Sequence, residues 1–153
     1  MTMIGECGVG KSSLLRRYTQ SKFVEDYEKT VGVEFGSKII VVGDNKVKLQ
    51  LWDISGDPTF DELSKSYYRG CRGVLILYDI TDVQSFATVP KWIDRVHQNS
   101  CKSPIMLVGT KADQEHNRQV STQEGQGLAD LHNLYFMEVS SKSTLNVEED
   151  LVF

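Results

Sequence analysis

Eight residues near the start of the chain, GECGVGKS at 5–12, have the types and spacing of a loop that wraps a phosphate chain. Glycines at 5 and 10 let the backbone curl until successive N–H groups point inward at anionic oxygens. A helix opening at Lys11 would add its positive N-terminal end. Gly8, Val9, Gly10, Lys11, Ser12 and Ser13 are therefore the phosphate-binding candidates. The Lys11 ammonium would reach the β- and γ-phosphates, and the Ser12 hydroxyl would face Mg²⁺. With glycine at its usual frequency, such a pattern arises by accident in roughly one chain in two hundred of this length. Here it also follows a strand and opens a helix, the context that phosphate binding requires.

Farther on, the segment WDISGDP at 52–58 bears on what happens to that phosphate. Asp53 ends an apolar strand, where a carboxylate can hold Mg²⁺ through water. Gly56 can present a backbone N–H to a γ-phosphate, and Thr30, in a long upstream loop, is a candidate second Mg²⁺ ligand. Alone, a strand-terminal Asp caps turns and Thr30 is an ordinary loop threonine. Beside a phosphate loop the metal reading of Asp53, with Ser12, outweighs that, while by pattern alone Thr30 stays a loop threonine. Asp57 stands where a triphosphate-cleaving protein places the residue that aims water, so the catalytic candidates are Asp57, Lys11 and Gly56.

The elements that must position these residues follow from periodicity. Thr2–Ile4 looks like the tail of a strand, and a helix is expected over 11–20 with Leu14, Leu15 and Tyr18 inward. Residues 21–34 form a long polar loop, of the kind that often carries function. Strands at 35–42 and 47–53 flank GDNK and predict a hairpin, with Val47, Leu49 and Leu51 on its buried face. The runs GVLILY (73–78) and IMLV (105–108) suit central parallel strands covered on both faces. Between them Val89, Trp92, Ile93 and Val96 recur at helical spacing. Ser121 and Glu124 form a capping-box pattern, and a last strand is expected at 135–139. The result is an α/β fold of the P-loop NTPase type over one domain, 1–153. Its six-stranded, mostly parallel sheet has one antiparallel edge hairpin and helices on both faces. The first strand reads as truncated, about half the usual length, and residues 146–153 read as a last helix that is barely begun.

Composition narrows the partners. The chain has 153 residues, 40% hydrophobic and 25% charged, and no run suits a membrane span. A net charge of -4 without a basic block argues against nucleic acid or anionic lipid as a direct partner. Three cysteines, Cys7, Cys71 and Cys101, match no metal or CxxC spacing and imply reduced thiols. The expectation is a cytoplasmic monomer with no lipid anchor of its own. Membrane association would require a longer form with prenylated C-terminal cysteines.

Taken in order, GECGVGKSSLL, TVGVEF (30–35), KLQLWD (48–53), YYRG (67–70), LYDITDVQSF (77–86), GTKAD (109–113) and SSK (140–142) resemble the Ras superfamily, and within it the Rab branch. The resemblance covers nearly the whole chain. It implies GTP and GDP as ligands with Mg²⁺, and a role as a molecular switch in vesicle traffic. Asp113 would accept hydrogen bonds from the guanine N1 and N2 groups, with Lys111 along the base. Thr110 stands where the family usually has Asn. Ser140, Ser141 and Lys142 match the loop whose middle N–H meets guanine O6, and Phe23 matches an aromatic packed near the base. Phe35, Trp52 and Tyr67 match the trio on which Rabs meet effectors. Exchange factors and TBC-type activating proteins would engage residues 21–35 and 54–68.

Besides Thr110, and Ser141 in place of the usual Ala, the departure that bears on catalysis lies at 52–58. The family's WDTAGQE reads WDISGDP here, so a neutral amide that both donates to and accepts from water becomes an anion that only accepts. Asp57 would also face an anionic γ-phosphate, and a carboxylate of ordinary pKa is a weak general base. Pro58 fixes φ and removes an N–H in a segment expected to move with nucleotide state. Intrinsic hydrolysis should therefore be slow, or depend on an activating partner. The competing reading is a pseudo-GTPase scaffold that holds GTP, or nothing, without turnover.

Overall fold

The two unbroken apolar runs form the middle of one sheet. In the computed structural model, which describes residues 1–25, 29–68, 70–99 and 102–147 (61–64 as backbone only), β4 spans Val74–Asp79 and β5 spans Ile105–Thr110. All six residues of each are buried, as expected of strands covered on both faces. Each fully buried aliphatic side chain there contributes about 1.5–3 kcal/mol. The sheet has six strands in the order β2-β3-β1-β4-β5-β6, with β1 at Thr2–Ile4, β2 at Val33–Val42, β3 at Asn45–Ile54 and β6 at Tyr135–Glu138. Only β2 and β3 pair antiparallel, and every other neighbour is parallel. The α/β architecture expected from the alternation of strands and helices is the one observed.

Helix α1 (Lys11–Gln20) covers one face through Leu14, Leu15 and Tyr18, which pack with Met3, Leu51, Leu75 and Leu77. On the opposite face, α4 (Val89–Gln98) buries Val89, Trp92, Ile93 and Val96 beside Ile76, Tyr78 and Leu107. The spacing i, i+3, i+4, i+7 that predicted this helix is the stripe that touches the sheet. Helices α2 (Asp61–Tyr68), α3 (Val83–Ala87) and α5 (Thr122–Leu131) complete the described helices. The capping box of α5 is complete: Glu124 N–H donates to Ser121 Oγ at 3.2 Å, and Ser121 N–H donates to Glu124 Oε2 at 2.8 Å.

The hairpin differs from its sequence reading. The first strand begins two residues earlier than expected and ends at Val42 as expected, the second extends past 47–53 at both ends, and the connection shrinks from four residues to the pair Gly43-Asp44. Gly43, at φ 58, supplies the positive φ that a tight two-residue turn needs. Val47, expected inward, is 41% exposed, whereas Leu51 on the same face is fully buried. Alternation assigns the face, but toward the hairpin tip the described residues leave that face exposed. Residues 146–147 lie in a turn, and the rest of the helix expected at 146–153 falls outside the described residues. Among the described residues no helix is long and apolar enough to cross a membrane. Cys7 is an exposed thiol, Cys71 Sγ donates to Tyr68 O at 3.3 Å, and Cys101 lies outside the described residues.

Candidate functional site

The carboxyl ends of the parallel strands converge on one cleft, the place where open α/β sheets bind ligands. The phosphate loop follows β1, Asp53 closes the buried end of β3, Thr110 ends β5, and the 140–142 loop follows β6. A cleft of about 250 Å³ results. Of the residues singled out in the sequence, Gly8, Gly10, Lys11, Ser12, Ser13, Phe23, Thr30, Gly56, Thr110, Lys111, Asp113, Ser141 and Lys142 line it. Val9, Asp53 and Ser140 stand behind its wall, each buried. Cys7, Arg16, Val24, Glu25, Ser55 and Gln114 also line it without having been singled out as site residues.

At the phosphate end, Gly10 caps α1 at φ 95, a left-handed conformation that suits glycine. The Lys11 ammonium donates to the carbonyls of Gly5 at 2.9 Å and Glu6 at 2.7 Å, so the loop is closed around its own lysine. Burial pushes the Lys11 pKa down, and the charges of Asp53, Cys7 and Glu6 oppose that shift. Gly56 makes a close approach: a Cβ there would lie 2.5 Å from Gly5 O and 2.7 Å from Cys7 N. Only glycine lets β3's outgoing chain lie against the phosphate loop. That steric reason was invisible in the sequence, where Gly56 was singled out for its N–H alone.

Three oxygens meet beside Lys11. Ser12 Oγ lies 2.7 Å from Thr30 Oγ1 and donates to Asp53 Oδ2 at 2.5 Å. Asp53 is fully buried, and its Oδ1 has no hydrogen-bond partner among the described residues. Burial, only partly offset by the Ser12 hydrogen bond and Lys11, raises the Asp53 pKa to about 6. A buried carboxylate with an open lone pair, flanked by two hydroxyls, fits a hard cation with oxygen ligands. Among the described residues no three His, Cys, Asp or Glu side chains cluster, so a cation here would draw its remaining ligands from phosphate oxygens or water.

At the other end, Ser140 Oγ donates to Asp113 Oδ1 at 2.6 Å and accepts from Ser143 N–H at 3.0 Å, fixing the carboxylate's orientation. Lys111 adopts φ 61, and its ammonium pairs with Asp79 Oδ2 at 2.5 Å. Arg17 Nε donates to Ser141 O at 2.6 Å, and its guanidinium lies 5.9 Å from the Phe23 ring centroid. Thr110 holds a position that sequence reasoning underrated. Its Oγ1 lies 2.5 Å from Val9 O and 2.9 Å from Tyr78 O, tying the phosphate loop to β4 and β5. One hydroxyl proton serves either carbonyl in turn.

Asp57 is one residue beyond the cleft wall. Its Oδ2 accepts from Lys29 Nζ at 2.6 Å, and its Oδ1 accepts from Thr59 N–H at 3.0 Å and Thr59 Oγ1 at 2.8 Å. These bonds, led by Lys29, hold its pKa down at about 2. Pro58 opens the short 3-10 turn Pro58–Phe60 that follows. Phe35, Trp52 and Tyr67, separated in sequence, meet in one group with tilted rings, centroids 4.6 Å and 5.2 Å apart. Phe35 is 49% exposed.

A family model described as Ras family matches residues 1–152. The chain belongs to the Ras family, whose members are small GTPase switches that bind GTP and GDP with Mg²⁺.

Proposed function

We propose that this chain is a Rab-type switch of vesicle traffic whose own hydrolysis of GTP is slow. Lys11 and the amides of Gly8 to Ser13 bind the phosphates, and Gly56 senses the terminal one. Ser12, Thr30 and Asp53 would hold Mg²⁺, which would offset phosphate charge. Phe23, Thr110, Lys111, Asp113, Ser140, Ser141 and Lys142 form the guanine end. The clustered and partly exposed Phe35, Trp52 and Tyr67 support an effector surface, with exchange factors and TBC-type activating proteins acting on the loops at 21–35 and 54–68.

One observation carries the kinetic part. Both oxygens of the Asp57 carboxylate are already engaged, by Lys29 and by Thr59. A group so committed has no donor for water and, titrating at about 2, little basicity to activate it. Activating proteins that supply a Gln and an Arg in trans would bypass that defect. The scaffold reading draws on the same engaged carboxylate and on Pro58. Chromatography of the nucleotide released on denaturing the purified protein separates the two. The switch reading expects near-stoichiometric guanine nucleotide, with GTP persisting for hours and then converting to GDP. An empty protein, or GTP that never converts even with an activating protein, would favour the scaffold.

A further inference from the structure

The residue before Thr30 and the residue after Gly56 meet across the phosphate end of the cleft. Thr30 and Gly56 both line it, and the next residues outward, Lys29 and Asp57, form an ion pair at 2.6 Å. The pair joins two loops 28 positions apart in sequence. The Asp57 side chain is only 19% exposed and is held on both oxygens, since Thr59 takes Oδ1. Asp57 N–H also contacts Ser55 Oγ at 3.3 Å, so the backbone beneath the carboxylate is tethered too. Two other cations near this end are already engaged. Lys11 is buried on loop carbonyls, and Arg16 pairs with Glu34 at 3.4 Å.

A carboxylate beside a bound triphosphate is a like charge at short range, and a like charge there opposes the terminal phosphate most. A diphosphate leaves that position empty and feels the charge less. We propose that Lys29 is a positioning residue for nucleotide discrimination: by pairing with Asp57 it cancels and orients that charge, so that the cleft accepts a nucleoside triphosphate despite an anion at the water-aiming position. The pairing acts as a unit. Lys29 matters because residue 57 is acidic, and it ceases to matter when residue 57 is neutral. This inference rests on the nucleotide-binding reading above, and the test is arranged so that the two can fail separately.

The experiment is a double-mutant cycle read as a ratio. Affinities for GDP and for the β,γ-imido analogue of GTP are measured with excess Mg²⁺, by competition against a fluorescent GDP. The proteins are the natural chain, Lys29→Ala, Asp57→Asn and the double variant. Lys29→Ala should weaken the triphosphate analogue by about 5- to 10-fold, the size of one uncompensated charge at surface dielectric, and GDP by less than about twofold. Adding Asp57→Asn to Lys29→Ala should restore the analogue to within about twofold of the natural chain. Equal weakening of both nucleotides would reduce Lys29 to a loop contact and overturn the proposal. So would an undiminished loss in the double variant, because Lys29 would then act on the phosphate directly. Unchanged ratios throughout would overturn it as well. If the natural chain binds neither nucleotide, the nucleotide-binding reading itself fails, and this inference with it.

Discussion

The rear and the front of the cleft are built by different means. At the rear, polar side chains bind from inside the fold: Lys11 on the Gly5 and Glu6 carbonyls, Thr110 on the Val9 and Tyr78 carbonyls, Ser140 on the Asp113 carboxylate. Lys11, Thr110 and Ser140 are all buried: Lys11 opens α1, Thr110 ends the buried strand β5, and Ser140 follows β6. At the front, Lys29 and Asp57 meet outside the cleft wall, and the Lys29 side chain is 57% exposed. The family pattern is intact at the rear apart from Thr110 and Ser141, whereas the front carries Asp57-Pro58. The contrast teaches where change is tolerated. A substitution at the rear strands a buried carbonyl or charge and costs stability. One at the front alters what the cleft does with its ligand and leaves the fold alone.

The strongest way to break that contrast is at Lys11. Lys11→Met should weaken guanine nucleotide binding by about a hundredfold or more, since a buried charged donor is lost from the phosphate loop. It should also lower the melting temperature, because the Gly5 and Glu6 carbonyls lose their partner. Titration with fluorescent GDP and a thermal melt check both. Unimpaired binding would show that the loop does not hold phosphate.

A step smaller, Thr110→Val keeps the volume and removes the hydroxyl between Val9 and Tyr78. A loss of about 1–2 kcal/mol in stability is expected, with GDP and GTP affinities falling together. Lys29→Ala should leave the melting temperature unchanged. A melt that moves more for Lys29→Ala than for Thr110→Val would reverse the comparison.

The smallest effect sharpens the metal end. Asp53 titrates at about 6 when folded against an ordinary value of 3.8, so between these the folded state binds the extra proton. Stability of the metal-free protein should therefore fall as pH rises through that window, by roughly 1 kcal/mol from pH 5 to pH 7. Asp53→Asn should remove that slope, and Mg²⁺ with nucleotide should suppress it. Melts of both proteins at the two pH values decide the matter, and an identical slope in the Asn variant would count against the buried carboxylate as its source.

Local patterns made much of this legible in advance. The phosphate loop, α1, α4 and the Ser121–Glu124 box depend on residues within eight positions of one another, and each was readable. The resemblance groups Phe35, Trp52 and Tyr67, and their rings do meet in the fold. What stayed hidden depends on distant chain segments. Gly56 is glycine because the phosphate loop lies against it, and Thr110 spends its hydroxyl on carbonyls far away in sequence. The Lys29–Asp57 pair leaves no local trace, since a lysine in a polar loop is ordinary. Val47 shows the converse limit, because a pattern fixes the side of a strand and not whether anything covers it.

The claim that Asp57 disables the chain's own hydrolysis is tested most directly by single-turnover cleavage of GTP preloaded on the purified protein with Mg²⁺. The natural chain and Asp57→Gln should be run side by side without any activating protein. The account predicts that the Gln variant is faster by about tenfold or more, because an amide can both donate to water and accept from it. A natural chain that cleaves GTP as fast as its Gln variant would contradict it.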